Sequence, residues 1–419
     1  MQYSCDIKRT VSADVAVIGG GTAGVFAAIS AAKTGAKTVL IEKNNILGGT
    51  VTVANVNYPG LFFAWGKPII DGPCMEAVRR TIKAGGAVMP KISRKPEYHW
   101  QEQILLNRFI YTAVLFQMCD EAGVTVLCSA MISDVIEKKN GLCLIVTDKS
   151  GLLQIKAKKA IDATGDANLC QIAGYAVEKS AEQQPATLQN RISGYDISSI
   201  PTEEIRNGFS RACLPDFVTA DDLIRYLRIQ KIDMHVTSVD ADTSEGKTAL
   251  EKRAYYQTLR AYEYLRSIKG LENLRIDFVA EETGVRETNR IVGESTVTEE
   301  DYINGKFYPD SVCYAFYPID RHVPDGIVQR FHKEDVVAKI PYTALIPKNS
   351  KHILCVGRCI SSDIFANSAV RVEAVCMATA QAAGCAAALA AESGTDVKEV
   401  PYPSLCRALE AIGAIVPKE

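Results

Sequence analysis

Histidine and tryptophan are scarce in this chain, five and two in 419 residues. Its thirteen cysteines are odd in number and scattered. The closest pair, Cys355 and Cys359, has three residues between its members, not the two of a redox C-x-x-C. No Cys/His clustering of the metal-binding kind occurs, so no metal site is expected. The cysteines read as a reduced set of small core side chains, consistent with a cytoplasmic protein. No apolar run is long enough for a membrane span, and the opening residues, MQYSCDIKRT, hold no signal-peptide core. A net charge of −2 gives no reason to expect nucleic acid or an anionic membrane as partner. Repeats and low-complexity tracts are absent too, which leaves an ordinary α/β chain with room for two or three domains, or one with an insertion.

What the chain does have is concentrated at 14–43. Residues 14–18 form a short apolar run with the branched residues of a buried parallel strand. Gly19-Gly20-Gly21-Thr22-Ala23-Gly24 follows, matching G-x-G-x-x-G, then an Ala-rich helical stretch at 25–33, Gly35 as a stop, and a second strand at 37–41 ending at Glu42 and Lys43. Each residue type has a physical purpose. Gly19 permits a tight turn, Gly21 lets backbone approach a pyrophosphate, and Gly24 lets helix and strand pack closely. Free amides at the helix start suit a diphosphate, and Glu42 is placed to accept from an adenosine ribose.

Beyond this unit, 57–73 is loop-like, rich in Gly, Pro and aromatics. Helices are expected at 74–84 and 101–122. Strands are expected at 124–128, 130–137, 142–147, 152–157 and 159–163, with Lys139-Asn140-Gly141 as a hairpin turn. The character turns more polar after 177, with a strand at 189–194 and helices at 220–230 and 244–269. The second of these helices carries Tyr255, Tyr256, Tyr262 and Tyr264, read as packing at a domain face. A strand at 352–356, an Ala-rich helix at 368–390 and a short helix at 404–412 return to α/β character. The expected fold is a Rossmann-like nucleotide-binding domain (a parallel sheet plus a β-meander) from 1–60, 115–177 and 345–419, with an inserted α+β substrate or cap domain from 61–114 and 178–344.

The glycine fingerprint alone fits either NAD or FAD. FAD is favoured by its place within twenty residues of the N-terminus, by Ala163-Thr164-Gly165-Asp166 at a strand end, and by the late strand, Gly357-Arg358 and helix. Carried on VIGGGTAG (17–24), IEK (41–43), GGT (48–50), DATGDA (162–167), GVRETNRIVGE (284–294), PYTALIPK (341–348), VGRCIS (356–361) and SAVRVEAVCMATAQAAGCAAALA (368–390), a resemblance emerges. The chain resembles FAD-dependent oxidoreductases of the glutathione-reductase-type flavin fold, kin to the fumarate reductase and succinate dehydrogenase flavoproteins. It does so nearly throughout, outside 198–281. The resemblance implies that Gly19, Gly21 and Gly24 hold the pyrophosphate with Thr22 and Ala23, and that Glu42 and Lys43 meet the adenosine ribose. Gly48, Gly49 and Thr50 would lie along the ribityl and pyrophosphate, and Met131 or Ile132 would offer backbone to the adenine. Thr164, Gly165 and Asp166 would line the nucleotide, and Gly357 and Arg358 would meet the ribityl chain. Val370 and Arg371, at a helix start, would set amides near the flavin pyrimidine.

A second glycine fingerprint is missing. With no C-x-x-C either, a disulfide reductase is disfavoured, and electrons must come from the substrate, a partner protein or a visiting nicotinamide. Proton-handling candidates are His99 and His322, both in loop-like surroundings, against a reading as surface or satisfied histidines. Arg286 and Arg290, at helical spacing beside Glu282, Glu287 and Glu294, read either as an ion-pair network or as one arginine clamping a substrate carboxylate or carbonyl. Arg371 is the further catalytic candidate. Tyr58 and Trp65 would border or cover the flavin. The expected activity is hydride transfer between a small organic substrate and flavin N5, with an unidentified electron donor or acceptor. The alternatives are a flavoprotein with structural or non-redox FAD, as in some hydratases and RNA-modifying enzymes, and a plain NAD-dependent dehydrogenase. No oligomeric state follows from the residues.

Overall fold

A computed structural model describes residues 6–237, 240–323 and 326–418. The chain opens with β1 (Ile7–Ile18), α1 (Thr22–Lys33) and β2 (Thr38–Glu42), followed by α2 (Pro73–Lys83), α3 (Arg108–Glu121) and β3 (Thr125–Cys128). A meander of β4 (Met131–Lys138), β5 (Gly141–Asp148) and β6 (Gly151–Asp162) comes next. The middle holds β7 (Asn190–Ser193), α4 (Ala220–Arg228), α5 (Ser244–Arg266), β8 (Arg275–Val279), β9 (Ser311–Ala315), β10 (Ile319–Val323), β11 (Gly326–Arg330) and β12 (Ala338–Pro341). The end holds β13 (Ile353–Cys355), α6 (Ile364–Val370), α7 (Glu373–Ser393) and α8 (Tyr402–Ala411).

The main sheet has seven strands in the order β3-β2-β1-β6-β5-β4, with β13 also on β6. Pairings around β1 and β2 are parallel, those along the meander antiparallel. The expected strands at 152–157 and 159–163 are one strand, β6. Its first half pairs antiparallel with β5, and its last three residues pair parallel with β13. A single long strand thus belongs to both halves of the sheet and carries Asp162 to the same edge as Ile18 and Glu42. Strand ends gathered at one edge of a parallel sheet form the crevice where such folds bind ligands.

Helices α1 and α7 cover one face of this sheet. In α1, Val25, Phe26, Ala27, Ala28, Ile29 and Ala31 are fully buried, each larger apolar side chain contributing roughly 1.5–3 kcal/mol. The two helices approach so closely that a Cβ on Gly384 of α7 would stand 2.3 Å from the Ala27 carbonyl oxygen. Contrary to expectation, α7 is long and apolar enough to cross a membrane, because its Ala-rich run carries no charge between Glu373 and Glu392. Yet 94% of that stretch is buried in this core.

Three local expectations change. The helix foreseen at 101–122 begins only at Arg108, capped by the Asn107 side chain accepting from the Ile110 amide. Reciprocal hydrogen bonds between Asn57 and Leu106 hold the preceding chain extended. The helix foreseen at 368–390 is two helices. Asp363 caps α6 early by accepting from the Phe365 and Ala366 amides, and Val372 is extended between α6 and α7. Arg286 and Arg290 are not helical: Arg290 lies in the strand Asn289–Ile291, paired with Val177–Lys179, and Gly284 bridges Thr187.

The apolar core is also divided differently. Residues from 61–114, such as Phe62, Ile70, Val78 and Leu106, and from 297–346, such as Val297, Ile319 and Ile346, share one cluster with α1 and α7. Two separate clusters draw on 186–280, with Ile192, Leu227 and Leu265 in one and Leu188, Val236 and Leu250 in the other. The separately packed region is therefore smaller than the inserted domain expected at 61–114 and 178–344. On α5, Tyr264 is buried and donates to the Ile205 carbonyl, while Tyr255 and Tyr256 are exposed.

The α1–α7 contact gives a stability test. Gly384→Ala gains about 1 kcal/mol of helix propensity but forces a methyl onto a backbone oxygen, at a cost of about 1–3 kcal/mol. A net loss is expected, read as a lower melting temperature. An unchanged or higher value would mean the helices can separate without penalty.

Candidate functional site

A cavity of about 630 Å³ runs along the carboxyl edge of the sheet, from Glu42 and Met131 at one end to His322, Arg371 and Glu373 at the other. Its volume falls within the range usual for small-molecule and cofactor sites.

At the first end, the turn after β1 is built by three glycines with different demands. Gly19 has φ +104, and a Cβ there would lie 2.4 Å from the Ala163 carbonyl oxygen. A Cβ on Gly24 would lie 1.7 Å from the Gly19 carbonyl oxygen. Both are required by the protein's own packing. Gly21 is not: its φ of −64 suits any residue, and its Cβ would meet only the Gly49 Cα, at 3.9 Å. The space above Gly21 belongs to the cavity. Glu42 is buried; one of its oxygens accepts from the Gly20 amide at 2.5 Å and the other from the Asn44 amide at 2.7 Å. Burial pushes its carboxyl up, and those two amides oppose the shift. Lys43 pairs with Glu282 at 3.6 Å.

Thr22, Ala23, Gly49, Thr50, Met131 and Ile132 line the cavity, as do Thr164, Gly165, Asp166 and Gly357; Gly24 and Gly48 stand behind that lining. Gly48, at φ +105, donates its amide to the Gly20 carbonyl and so locks the two glycine loops together. Asp162, fully buried, accepts from the Thr164 amide and hydroxyl and from the Cys170 amide, which shapes the 164–170 turn. Arg358 lines the cavity, but its guanidinium donates to the Gly165 carbonyl at 2.9 Å, to Asp166 Oδ1 at 2.6 Å and to the Val285 carbonyl. It ties three segments together, so its side chain has a structural task beside any ribityl contact.

The far end brings together residues remote in sequence. Arg286, His322 and Arg371 all face the cavity, with Thr187, Tyr317, Asp320, Glu373 and Cys376. His322 Nε2 lies 3.3 Å from Asp320 Oδ2, and its Nδ1 lies 3.3 Å from His235 Nε2. Burial alone would raise the Asp320 carboxyl. Hydrogen bonds from His322 and Gln329, with the field of Arg371, instead hold it down at about 2. Burial and the two arginines outweigh Asp320 and lower His322. The two shifts agree once pH is considered: in acid a protonated His322 keeps Asp320 ionised, and at neutrality the imidazole is uncharged. An ionised Asp320 can only accept, so neutral His322 carries its proton on Nε2.

Three sequence-based placements are corrected here. His99 is not part of the cavity wall; it packs edge-on against Tyr317 and beside Phe331. Val370 is the last residue of α6, fully buried and away from the cavity, and Arg371 follows it as the C-cap. The helix start facing the cavity is Val372-Glu373. Arg290 is buried and donates to the Ser362 carbonyl and Ser180 hydroxyl. Of the two loop aromatics, Tyr58 lines the cavity, whereas Trp65 donates to the Val336 carbonyl and packs on Phe316. Asp320 and Glu373 were not foreseen. Glu373 had a signal: it is the one charged residue from 372 to 391, and burial pushes its carboxyl up to about 7.

Residues 14–409 match the family described as FAD dependent oxidoreductase. The chain belongs to that family. It is an enzyme, and its cofactor is FAD. Among curated relatives, the thiamine thiazole synthase of Methanococcus vannielii is 24% identical over 164 residues, 37% of this chain and 57% of that protein. The same enzyme of Aeropyrum pernix is 28% identical over 176 residues, 39% of this chain and 58% of that protein. The chain thus spans a little over half the length of these relatives. A mitochondrial dihydrolipoyl dehydrogenase of Caenorhabditis elegans is 61% identical over 43 residues, 10% of this chain and 9% of that protein. Among solved structures, a geranylgeranyl bacteriochlorophyll reductase-like protein from Thermoplasma acidophilum has a TM-score of 0.49 at 16% identity, covering 96% of this chain and 83% of that one. The p-nitrophenol 4-monooxygenase PnpA of Pseudomonas putida has a TM-score of 0.47 at 11% identity, covering 93% and 82%.

The residues of the oxidoreductase fit FAD. Gly21 is a glycine that the protein's own packing does not demand, at a helix N-terminus that opens on the cavity, as a bound pyrophosphate requires. Gly21→Val is therefore expected to fold with a near-normal melting temperature yet lose its FAD, measured by visible absorption. Retention of full flavin would remove the phosphate assignment. Gly19→Ala should instead cost at least about 2 kcal/mol of stability, through strain at positive φ and collision with the Ala163 carbonyl.

Proposed function

We propose that this oxidoreductase moves a hydride between a small organic substrate and N5 of its flavin, with His322 handling the accompanying proton. The observation that carries the reading is that the cavity continues past the nucleotide loops into a chamber walled by His322, Asp320, Tyr317, Arg286 and Arg371. FAD, when bound, supplies the two-electron chemistry. The side chains of the chamber supply position and proton movement. Asp320 fixes the imidazole orientation and holds its proton at Nε2, which leaves Nδ1 as the basic atom. Nδ1 also lies 3.3 Å from His235 Nε2. Gln184 Oε1 accepts from the His322 amide and from Arg371, so the base and the guanidinium share one anchor. The second half-reaction draws on a further small molecule or a partner protein.

Anaerobic mixing of the purified yellow enzyme with candidate donors tests this reading, with flavin bleaching as the readout. Bleaching by an organic donor, linked to product formation, is expected. Protein that holds FAD but is bleached by no donor would favour a flavin used without net redox.

The His322–Asp320 pair gives a pH prediction. The basic form of His322 is the working one in substrate oxidation, and its proton affinity is lowered. The rate should therefore hold at neutral pH and fall towards acid, with an apparent pKa below the ordinary 6.5. His322→Gln should lower kcat by about 10²–10⁴ and remove that limb. An unaltered profile in the variant would exclude His322.

A further inference from the structure

We infer that the substrate is a small carboxylate, held in the cavity by the paired guanidiniums of Arg286 and Arg371; the assignment rests on the hydride-transfer reading of the same chamber. Two enclosed cations face one cavity, and among the described residues neither has a carboxylate within 4.0 Å. Arg286 donates through Nη1 to the Pro185 carbonyl and to Thr187 Oγ1, and its Nε and Nη2 donate to none of the described residues. Arg371 makes two long bonds from Nη2, to Gln184 Oε1 at 3.3 Å and the Asp320 carbonyl at 3.4 Å. Its Nε is buried with no hydrogen-bond partner among the described residues. A buried N–H left unpaired costs about 1–3 kcal/mol, more when the group is charged.

The nearby acids are already engaged. Asp320 takes hydrogen bonds from His322 and Gln329. Glu287 faces Arg321 at 3.6 Å and accepts from the Gln184 amide. Asp233 pairs with Lys231 at 2.9 Å. Glu373, pushed up to about 7, is only partly ionised at neutrality. These acids act on the two guanidiniums only through space, Asp320 foremost on Arg371 and Asp233 on Arg286, and Arg286 is lowered to about 10 by burial first and by Arg371 next. Oxidised flavin is uncharged at its ring, so bound FAD does not supply the missing negative charge to this end. A carboxylate does, and its two oxygens match the planar fork of free donors that arginine presents. A carboxylate held between these arginines also places the rest of a small substrate beside His322, on the same wall.

The test uses FAD-loaded enzyme titrated with acetate, succinate and benzoate, followed by calorimetry and by the flavin difference spectrum, with uncharged succinamide as control. At least one carboxylate is expected to bind saturably, succinamide not at all, and Arg286→Gln to weaken binding tenfold or more while keeping its flavin. Arg286→Lys, which keeps the charge but not the fork, should weaken it less, and it serves alone if the Gln variant does not fold. Binding by none of the three anions, equal binding of succinamide, or unchanged affinity in Arg286→Lys overturns the proposal. The same spectra separate the two levels of failure. Colourless protein, or flavin that no donor bleaches, defeats the hydride-transfer reading, whereas yellow, reducible protein indifferent to carboxylates defeats this inference only.

Discussion

Everything in this site depends on how closely β1 and α1 approach each other. The Gly19 carbonyl sits where a side chain on Gly24 would have to be, and Gly19 itself is pressed against the Ala163 carbonyl from β6. Three backbones therefore meet with no side chain between them. That contact aims the first amides of α1 into the cavity and fixes the ends of β1, β2 and β6 side by side. Side chains at Gly19 or Gly24 would push the helix away from the sheet, and the cradle over Gly21 would lose its floor. The buried Ala-rich face of α7 is part of the same constraint, because only small residues let a second helix lie against α1 without displacing it.

A second layer of the site is held by polar groups acting on backbone. Asp162 shapes the 164–170 turn through three accepted hydrogen bonds, and Arg358 pins that turn to Val285 from across the cavity. Thr288 adds a hydrogen bond to Asp166. The cavity wall at 164–166 is thus tied to the segment that carries Arg286, one residue beyond Val285. Holding the 164–170 turn in place and positioning the far chamber are parts of one network.

The sheet, the glycine turn and the meander were legible because each rests on local rules. Branched apolar runs make buried strands, glycines mark turns, and Lys139-Asn140 closes the hairpin between β4 and β5. The far chamber was only partly legible. Arg286, His322 and Arg371 were singled out, but Asp320 was not, since its importance comes from facing His322 across an extended strand, where residues two apart share a side. Helical spacing misled at Arg286 and Arg290 because a separation of four is not unique to helices: Arg290 pairs in a short strand with Val177–Lys179, and Arg286 lies in the irregular segment before it. His99 failed as a cavity residue for a similar reason: its loop is folded back by Tyr317 and Phe331, contacts more than two hundred residues away in the chain.

The break between α6 and α7 shows why local propensity could not have located the reactive end. Every residue from 364 to 393 tolerates helix, and Ala dominates the second part. What interrupts the helix is tertiary. The Val372 side chain lies against Gly60, where even a methyl would come within 2.3 Å of it, and the Ala374 amide donates to the Pro59 carbonyl. The loop 57–60 therefore takes up a helix-start amide that an unbroken helix would have bonded internally. Arg371 is left as the C-cap of one helix, immediately before the start of another, lining the cavity and with its Nε unpaired among the described residues. In an unbroken helix Arg371 would follow the helical repeat, and Glu373 would not be a helix-start residue. Loop 57–60, whose Tyr58 lines the cavity, thus also fixes how Arg371 and Glu373 are presented, which couples the two ends of the cavity through backbone rather than through charge.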